Sequence, residues 1–173
     1  MDNTKYATIL NNYERLTERG RKHNIEWARS VRDQVASYLR EFAEEVNGAR
    51  GNRHPVLRVD VDNEIHQVLL VVPGGPTAHW VCDPDLKRKY QAGCGPTSIS
   101  FNRLTNGQVT VRCLPPTLRF GDGRHAQGDV EVLGTFAPEA LERDKVRELA
   151  GRFLEYALKT HWARDSNSTA IGF

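Results

Sequence analysis

The chain has 173 residues, of which 39% are hydrophobic, and its 24 Lys and Arg residues nearly balance 22 Asp and Glu. This length predicts one domain with a sizeable core. The composition excludes a disordered tail, a collagen-like fibre and a histone-like basic chain, and 18 of the 24 cations are Arg.

The cellular environment is predicted from three features of the sequence. Three cysteines are too few, and odd in number, for a disulfide scaffold. The N-terminus lacks the pattern of a signal peptide, and the longest unbroken apolar stretch, from Val68 to Val72, is too short to span a membrane. We therefore expect a cytoplasmic protein without membrane attachment.

Residues 1–47 are predicted to be helical, with two apolar stripes at three- and four-residue steps. The first stripe comprises Tyr6, Ile9, Leu10, Tyr13 and Leu16, and the second comprises Ala28, Val31, Val35, Tyr38, Leu39, Phe42 and Val46. Asn47-Gly48 predicts the helix end. The sequence is compatible with a hairpin or with one bent helix. The spacing drifts toward a seven-residue repeat, which suits packing on a sheet or on a second copy in a homodimer.

Residues 56–133 change to a period of two and predict an antiparallel meander of five or six strands. The Asn-Gly pair in Thr105-Asn106-Gly107 predicts a hairpin between strands at 98–104 and 108–114. Residues 83–96 are predicted to be a loop, and a last hairpin is predicted to join 118–120 to 130–133 through the glycine-rich segment 121–128.

Pro138 is expected in the first turn of a final helix that ends near residue 162, and residues 164–173 are expected to be a flexible tail. The sequence thus predicts a single α+β domain over residues 1–163. Its N-terminal helices and its C-terminal helix are expected to pack on the same face of the sheet.

Strand alternation predicts one apolar and one polar sheet face. The apolar face comprises Leu57, Val59, Val61, Ile99, Phe101, Val109, Val111, Cys113, Leu118, Phe120, Val130 and Val132. The polar face comprises Arg58, Asp60, Ser100, Asn102, Thr110, Arg112, Arg119 and Glu131. Arg58, Arg112 and Arg119 would suit phosphate, carboxylate or nucleic-acid backbone oxygens. The alternative is a solvated face with cross-strand pairs between Arg and acids.

A possible nucleophile lies in Gly93-Cys94-Gly95-Pro96-Thr97-Ser98. This string resembles the nucleophile motif of papain-like, bacteriocin-processing cysteine peptidases, in which the Cys follows a glycine and opens a helix. The resemblance implies Cys94 as nucleophile, His125 as base, Asp129 as its orienting group and Gln91 as an oxyanion donor.

Two further alternatives concern metal and nucleic acid. His79, Cys82, Cys94 and Cys113, with His125 downstream, supply nitrogen and sulfur ligands for zinc, but without a Cys-x-x-Cys pair. Basic clusters at 19–23, 50–54 and 87–90 would form a phosphate-binding strip if the fold joined them to Trp80 and Tyr90.

The favoured prediction is a binding or regulatory module without a cofactor and without an enzymatic role. Its target would be a protein partner or a small anionic ligand, recognised by the open sheet face and by the loops 83–96 and 121–128. The predicted binding residues are Arg58, Asp60, Asn102, Arg112, Arg119, Arg124, Lys87 and Arg88. A cysteine-nucleophile hydrolase is the second hypothesis, and nucleic-acid binding is the third.

Overall fold

The computed structural model describes residues 3–49, 57–83, 88–119 and 125–160. Its helices are α1 (Asn3–Glu26), a π-helical turn (Trp27–Val31), α2 (Arg32–Ala49), a 3-10 turn (Pro138–Ala140) and α3 (Arg143–Thr160). Its strands are β1 (Arg58–Asp62), β2 (Gln67–Val72), β3 (Gly75–Asp83), β4 (Arg88–Cys94), β5 (Thr97–Arg103), β6 (Val109–Leu114), β7 (Thr117–Arg119), β8 (His125–Gln127) and β9 (Glu131–Phe136).

The N-terminal region is one continuous helical segment rather than a hairpin. Glu26 and Arg32, which flank the π-helical turn, both have right-handed helical backbone angles. At 1.5 Å per residue the segment is about 70 Å long, which exceeds what a domain of this size needs to cover its sheet. None of the helices in the described ranges is long and apolar enough to cross a lipid bilayer.

The main sheet has five antiparallel strands in the order β1-β2-β5-β6-β9, with α2 over β1 and β2 and α3 over β5. This confirms the predicted α+β architecture. The predicted hairpin is confirmed as well, because β5 pairs with β6 and the amide of Gly107 donates to the carbonyl of Leu104 at 2.9 Å.

A second antiparallel sheet, in the order β3-β4-β7-β8, was not predicted. The region 83–96, predicted to be a loop, contains β4. The predicted pairing of 118–120 with 130–133 is wrong, since β7 pairs with β4 and β8 whereas β9 pairs with β6. Alternation identifies a strand, but contacts that are distant in sequence decide its partner.

The core lies between the main sheet and the two helices α2 and α3. Its largest fully buried side chains are Trp27, Phe101, Phe153, Leu39, Leu70, Ile99, Leu149, Val35, Val68, Val109 and Val111. At the rim, the Arg147 guanidinium on α3 forms a bidentate pair with the Glu45 carboxylate on α2, and this partner lowers the pKa of Glu45. This pair joins the two helices at a solvent-accessible rim and contributes little, so apolar burial is what holds the helices to the sheet.

The predicted apolar face is corrected at its last two strands. Leu118 lies on β7 in the second sheet. Val130 and Val132 are 47% and 60% exposed. A register shift between Val111 and Arg112 pairs Arg112 with Val132, which places Val132 on the open face. Glu131, predicted for that open face, instead lies 3.8 Å from Arg152 of α3.

Candidate functional site

The first apolar stripe is not covered by the rest of the chain. Tyr6, Ile9, Leu10, Tyr13 and Leu16 are 55%, 54%, 62%, 69% and 63% exposed. The expectation that all N-terminal helices bury their stripes on the sheet is therefore wrong for α1, because only α2 reaches the sheet. We call the first part of α1, residues 3–19, the arm.

The same helical row continues past the arm and becomes covered. Tyr6, Ile9, Tyr13 and Leu16 follow a seven-residue repeat that Gly20, His23 and Trp27 extend. Gly20 and His23 are buried against the β5–β6 turn, where a methyl group on Gly107 would lie 2.5 Å from the Gly20 carbonyl oxygen and 2.6 Å from His23 Cβ. Gly107 has φ of +79°, so glycine suits both the turn and this close approach.

The π-helical turn joins the arm to the domain. Trp27, its first residue, is fully buried, and its indole Nε1 donates to the carbonyl oxygen of His66 at 3.2 Å. His66 adopts φ of +53° in the β1–β2 turn. Trp27 therefore anchors the base of α1 through both packing and a hydrogen bond, and single π-helical turns often occur at functional sites.

The polar face of the main sheet carries two of the three predicted arginines, but it is open only in part, because Ser100 and Thr110 on this face are buried. Arg58 Nε lies 3.2 Å from Asp60 Oδ2 on its own strand, so this pair lies within one strand and is not the cross-strand pair that the alternative predicts. Arg112 is exposed and forms no ion pair with any residue in the described ranges. The half-buried Asn102 donates to Ser100 Oγ at 3.0 Å. Strand spacing and register separate the Cα atoms of Arg58 and Arg112 by about 16 Å.

The third arginine, Arg119, does not share this face, which corrects the prediction. It lies on β7 in the second sheet, where its register partners are Gly93 and His125. Its predicted face was inferred from strand alternation alone, and alternation does not show which sheet a strand joins. Arg88 begins β4 opposite Asp83. Lys87 and Arg124 lie outside the described residues.

The environment of Cys94 differs from that of an activated thiol. Cys94 ends β4 and precedes β5, so it does not open a helix as the resemblance requires. Its side chain is buried, and burial raises its pKa. A reactive thiolate needs the opposite shift.

The other residues of the peptidase hypothesis are placed by the backbone register. Cys94 pairs with Leu118, and Leu118 pairs with Ala126, so the register does not align Cys94 with His125. Asp129 is exposed, and its carbonyl oxygen accepts a hydrogen bond from Tyr156 at 2.9 Å. Gln91 lies opposite Trp80 within the second sheet.

The predicted zinc ligands are distributed over both sheets. His79 and Cys82 lie on β3 and Cys94 on β4, whereas Cys113 lies on β6 in the core of the main sheet. Burial, together with the nearby Glu131, raises the pKa of Cys113 to about 12. In this environment Cys113 behaves as a small apolar side chain.

Of the basic clusters, only 19–23 is described in full. Arg21 pairs with Glu18, and Lys22 lies 3.7 Å from Glu26 on the same helix. Residues 50–54 and residue 87 lie outside the described ranges, and Tyr90 and Trp80 belong to β4 and β3.

One cluster of ionisable groups was not predicted. His23 and Glu26 of α1 meet Glu139 of the 3-10 turn, and one ligand atom from each lies within 4.8 Å of the other two. The sequence does indicate that His23 and Glu26 lie close together, because residues three apart on a helix are neighbours. Glu139 is brought to them by the tertiary fold.

Comparisons with known proteins do not place the chain in a family. No family model, no curated protein and no solved structure matches it. Any functional conclusion therefore depends on the residues described above.

Proposed function

We propose that this chain is a non-enzymatic binding module that works as a homodimer, in which the arms of two copies pack against each other. The observation that carries the proposal is the apolar row of the arm, more than half exposed at Tyr6, Ile9, Leu10, Tyr13 and Leu16. A row of this length on a helix that leaves the domain is typical of an interaction surface rather than of scattered exposed residues.

A second copy suits the arm because the row has the repeat of a two-stranded coiled coil. Alongside the domain, however, the row is covered by the β5–β6 turn. In a parallel pair, the two domains would lie at the same height along the paired helices and would collide. In an antiparallel pair, the two domains lie at opposite ends of the paired arms, which avoids this collision.

The antiparallel register also gives complementary layers. It places Tyr6 against Leu16 of the second copy and Ile9 against Tyr13 of the second copy, so that each layer combines an aromatic and an aliphatic side chain. Facing layers of unequal side chains interdigitate well. A parallel pair would stack Tyr on Tyr at two layers instead.

The expected affinity is moderate. Covering the exposed parts of these side chains on both copies gives a gross gain of about 10 kcal/mol, and association costs at least about 4 kcal/mol. With this smallest cost, the dissociation constant is about 10–100 μM.

Replacement of one layer residue by a charge tests the proposal. We expect Leu16→Glu to remain monomeric at about 200 μM in sedimentation equilibrium, where the unsubstituted chain is largely dimeric. The variant loses about 3 kcal/mol from its two copies of Leu16, which is more than about 100-fold in the dissociation constant.

Asn11→Glu is the matched control for this variant, because Asn11 lies on the same helix, is exposed and stands about 200° around the helix from Ile9. It adds the same charge and should leave the dimer intact. Equal masses for the Leu16 variant and the unsubstituted chain at all concentrations would contradict the proposal.

A second proposed surface is the exposed part of the polar sheet face around Arg112. It is supported by the exposure of Arg112 and by its lack of an ion pair within the described ranges. Because Arg58 is paired and about 16 Å away, an extended acidic polypeptide fits this face better than a small anion. The nucleic-acid hypothesis stays a prediction that the same experiment addresses.

Poly-L-glutamate serves as the probe for the Arg112 surface. We expect Arg112→Ala to bind it about two- to fivefold more weakly at low salt, as one exposed charge pair allows, while the exposed Arg29→Ala on the π-helical turn binds normally. Equal binding by both variants would remove Arg112 from the surface. Stronger retention on duplex DNA than on poly-L-glutamate would favour nucleic acid.

A further inference from the structure

The base of the arm carries a cluster of metal-binding side chains that the dimer does not use. His23 lies on α1, Glu26 is three residues later on the same helix, and Glu139 lies in the 3-10 turn before α3. His23 Nε2 lies 3.5 Å from Glu139 Oε1. These three residues therefore connect α1, just beyond the arm, to the 3-10 turn of the domain.

The imidazole of His23 is the second observation that points to a ligand. Its side chain is only 7% exposed, and its Nε2, which faces Glu139 at 3.5 Å, makes no closer polar contact in the part of the chain that the structure describes. Its Nδ1, across the ring from Nε2, is buried without a hydrogen-bond partner there. A buried imidazole with so few partners is unfavourable, and an ion bound at Nε2 would give the ring a strong partner.

We propose that His23, Glu26 and Glu139 bind one divalent metal ion of the class that accepts mixed nitrogen and oxygen ligands, such as Zn²⁺, Co²⁺ or Mn²⁺. One imidazole nitrogen and two carboxylates suit these ions better than Cu⁺, which prefers sulfur, or Ca²⁺, which prefers oxygen alone.

The distances fit such an ion after small side-chain movements. An ion with bonds of about 2.1 Å holds its ligand atoms about 3–4 Å apart, and the three groups lie within 4.8 Å of one another. Glu139 is 59% exposed and free to rotate inward. Glu26 would exchange its 3.7 Å contact with the exposed Lys22 for the ion.

The ion would fasten the arm to the domain. Two ligands come from α1 and the third from the 3-10 turn, so binding would restrict the angle at which the arm leaves the domain. Three protein ligands also leave coordination positions for water.

Calorimetric titration with ZnCl₂ and, separately, with MnCl₂ tests the site. We expect one ion per chain and at least about tenfold weaker binding by Glu139→Gln, since the loss of even a group that only orients a ligand usually costs about 10–100-fold in affinity. Glu142→Gln, which changes an exposed carboxylate nearby, should bind as the unsubstituted chain does. Glu139 is chosen because it is exposed, so its replacement leaves the core unchanged. Mn²⁺ binds thiols poorly, so binding of Mn²⁺ cannot be attributed to the cysteines.

The proposal is overturned if neither ion binds, or if Glu139→Gln binds both with unchanged affinity. Added Co²⁺ gives a second readout, since its visible absorption should change in the unsubstituted chain and not in Glu139→Gln. The dimer is a separate matter: Glu139→Gln should have the same mass in sedimentation as the unsubstituted chain, so failure of the metal site and failure of the dimer are distinguishable.

Discussion

Trp27→Ala should destabilise the protein by about 3–5 kcal/mol, the usual loss when a fully buried aromatic side chain is removed from a core. Trp27 is fully buried and donates its indole hydrogen to the His66 carbonyl oxygen. The substitution leaves a cavity where the π-helical turn meets the domain, and it leaves the carbonyl without its partner. Since a domain of this kind has only about 5–15 kcal/mol in total, much of its stability is at risk.

Urea unfolding followed by far-ultraviolet circular dichroism measures this loss as a lower transition midpoint. The unfolding midpoint of Trp27→Phe should lie between those of Trp27→Ala and the unsubstituted chain, because phenylalanine keeps most of the packing and loses the hydrogen bond. Tyr13→Ala is the matched aromatic control on the exposed arm, and at concentrations where the chain is monomeric it should change stability by less than about 0.5 kcal/mol. If Trp27→Ala and Tyr13→Ala unfold at the same midpoint, Trp27 is not the anchor described here.

The sequence was sufficient to predict the parts of the fold that depend on local pattern. Helical periodicity identified both halves of the N-terminal segment, and Asn106-Gly107 identified the β5–β6 hairpin. These features follow from neighbouring residues, for which side-chain spacing and turn conformation are decisive.

Features that depend on distant contacts were not predictable in the same way. The second sheet, the partner of β7 and the register shift beside Arg112 are set by pairing between segments far apart in the chain. For this reason Arg119 and Val132 were assigned to the wrong faces, although the strand character of their segments was recognised.

In the candidate site, too, the local pattern was predictable and the distant contacts were not. The apolar row of the arm and its seven-residue repeat were visible in the sequence, together with the alternative of packing on a second copy. Whether the sheet or a second copy covers that row depends on where the domain ends along the helix. The structure places this boundary at Gly20, where the β5–β6 turn begins to cover the row.

Disulfide trapping tests whether the arms of two copies pair in antiparallel orientation. In the proposed register Ile9 of one copy faces Tyr13 of the second, so a cysteine at each position comes within reach of a disulfide across the pair. Ile9→Cys and Tyr13→Cys are oxidised separately and as an equal mixture. The products are then identified by peptide mass spectrometry. The unsubstituted chain, which carries Cys82, Cys94 and Cys113, sets the background.

We expect the mixture to give a disulfide between position 9 of one copy and position 13 of the other, while each variant alone stays at background. Both effects follow from the register, because in an antiparallel pair neither position faces itself. Efficient cross-linking of each variant alone would show a parallel pair. Cross-linking at background level in all three samples would show that the arms do not pack together, which contradicts the proposed dimer.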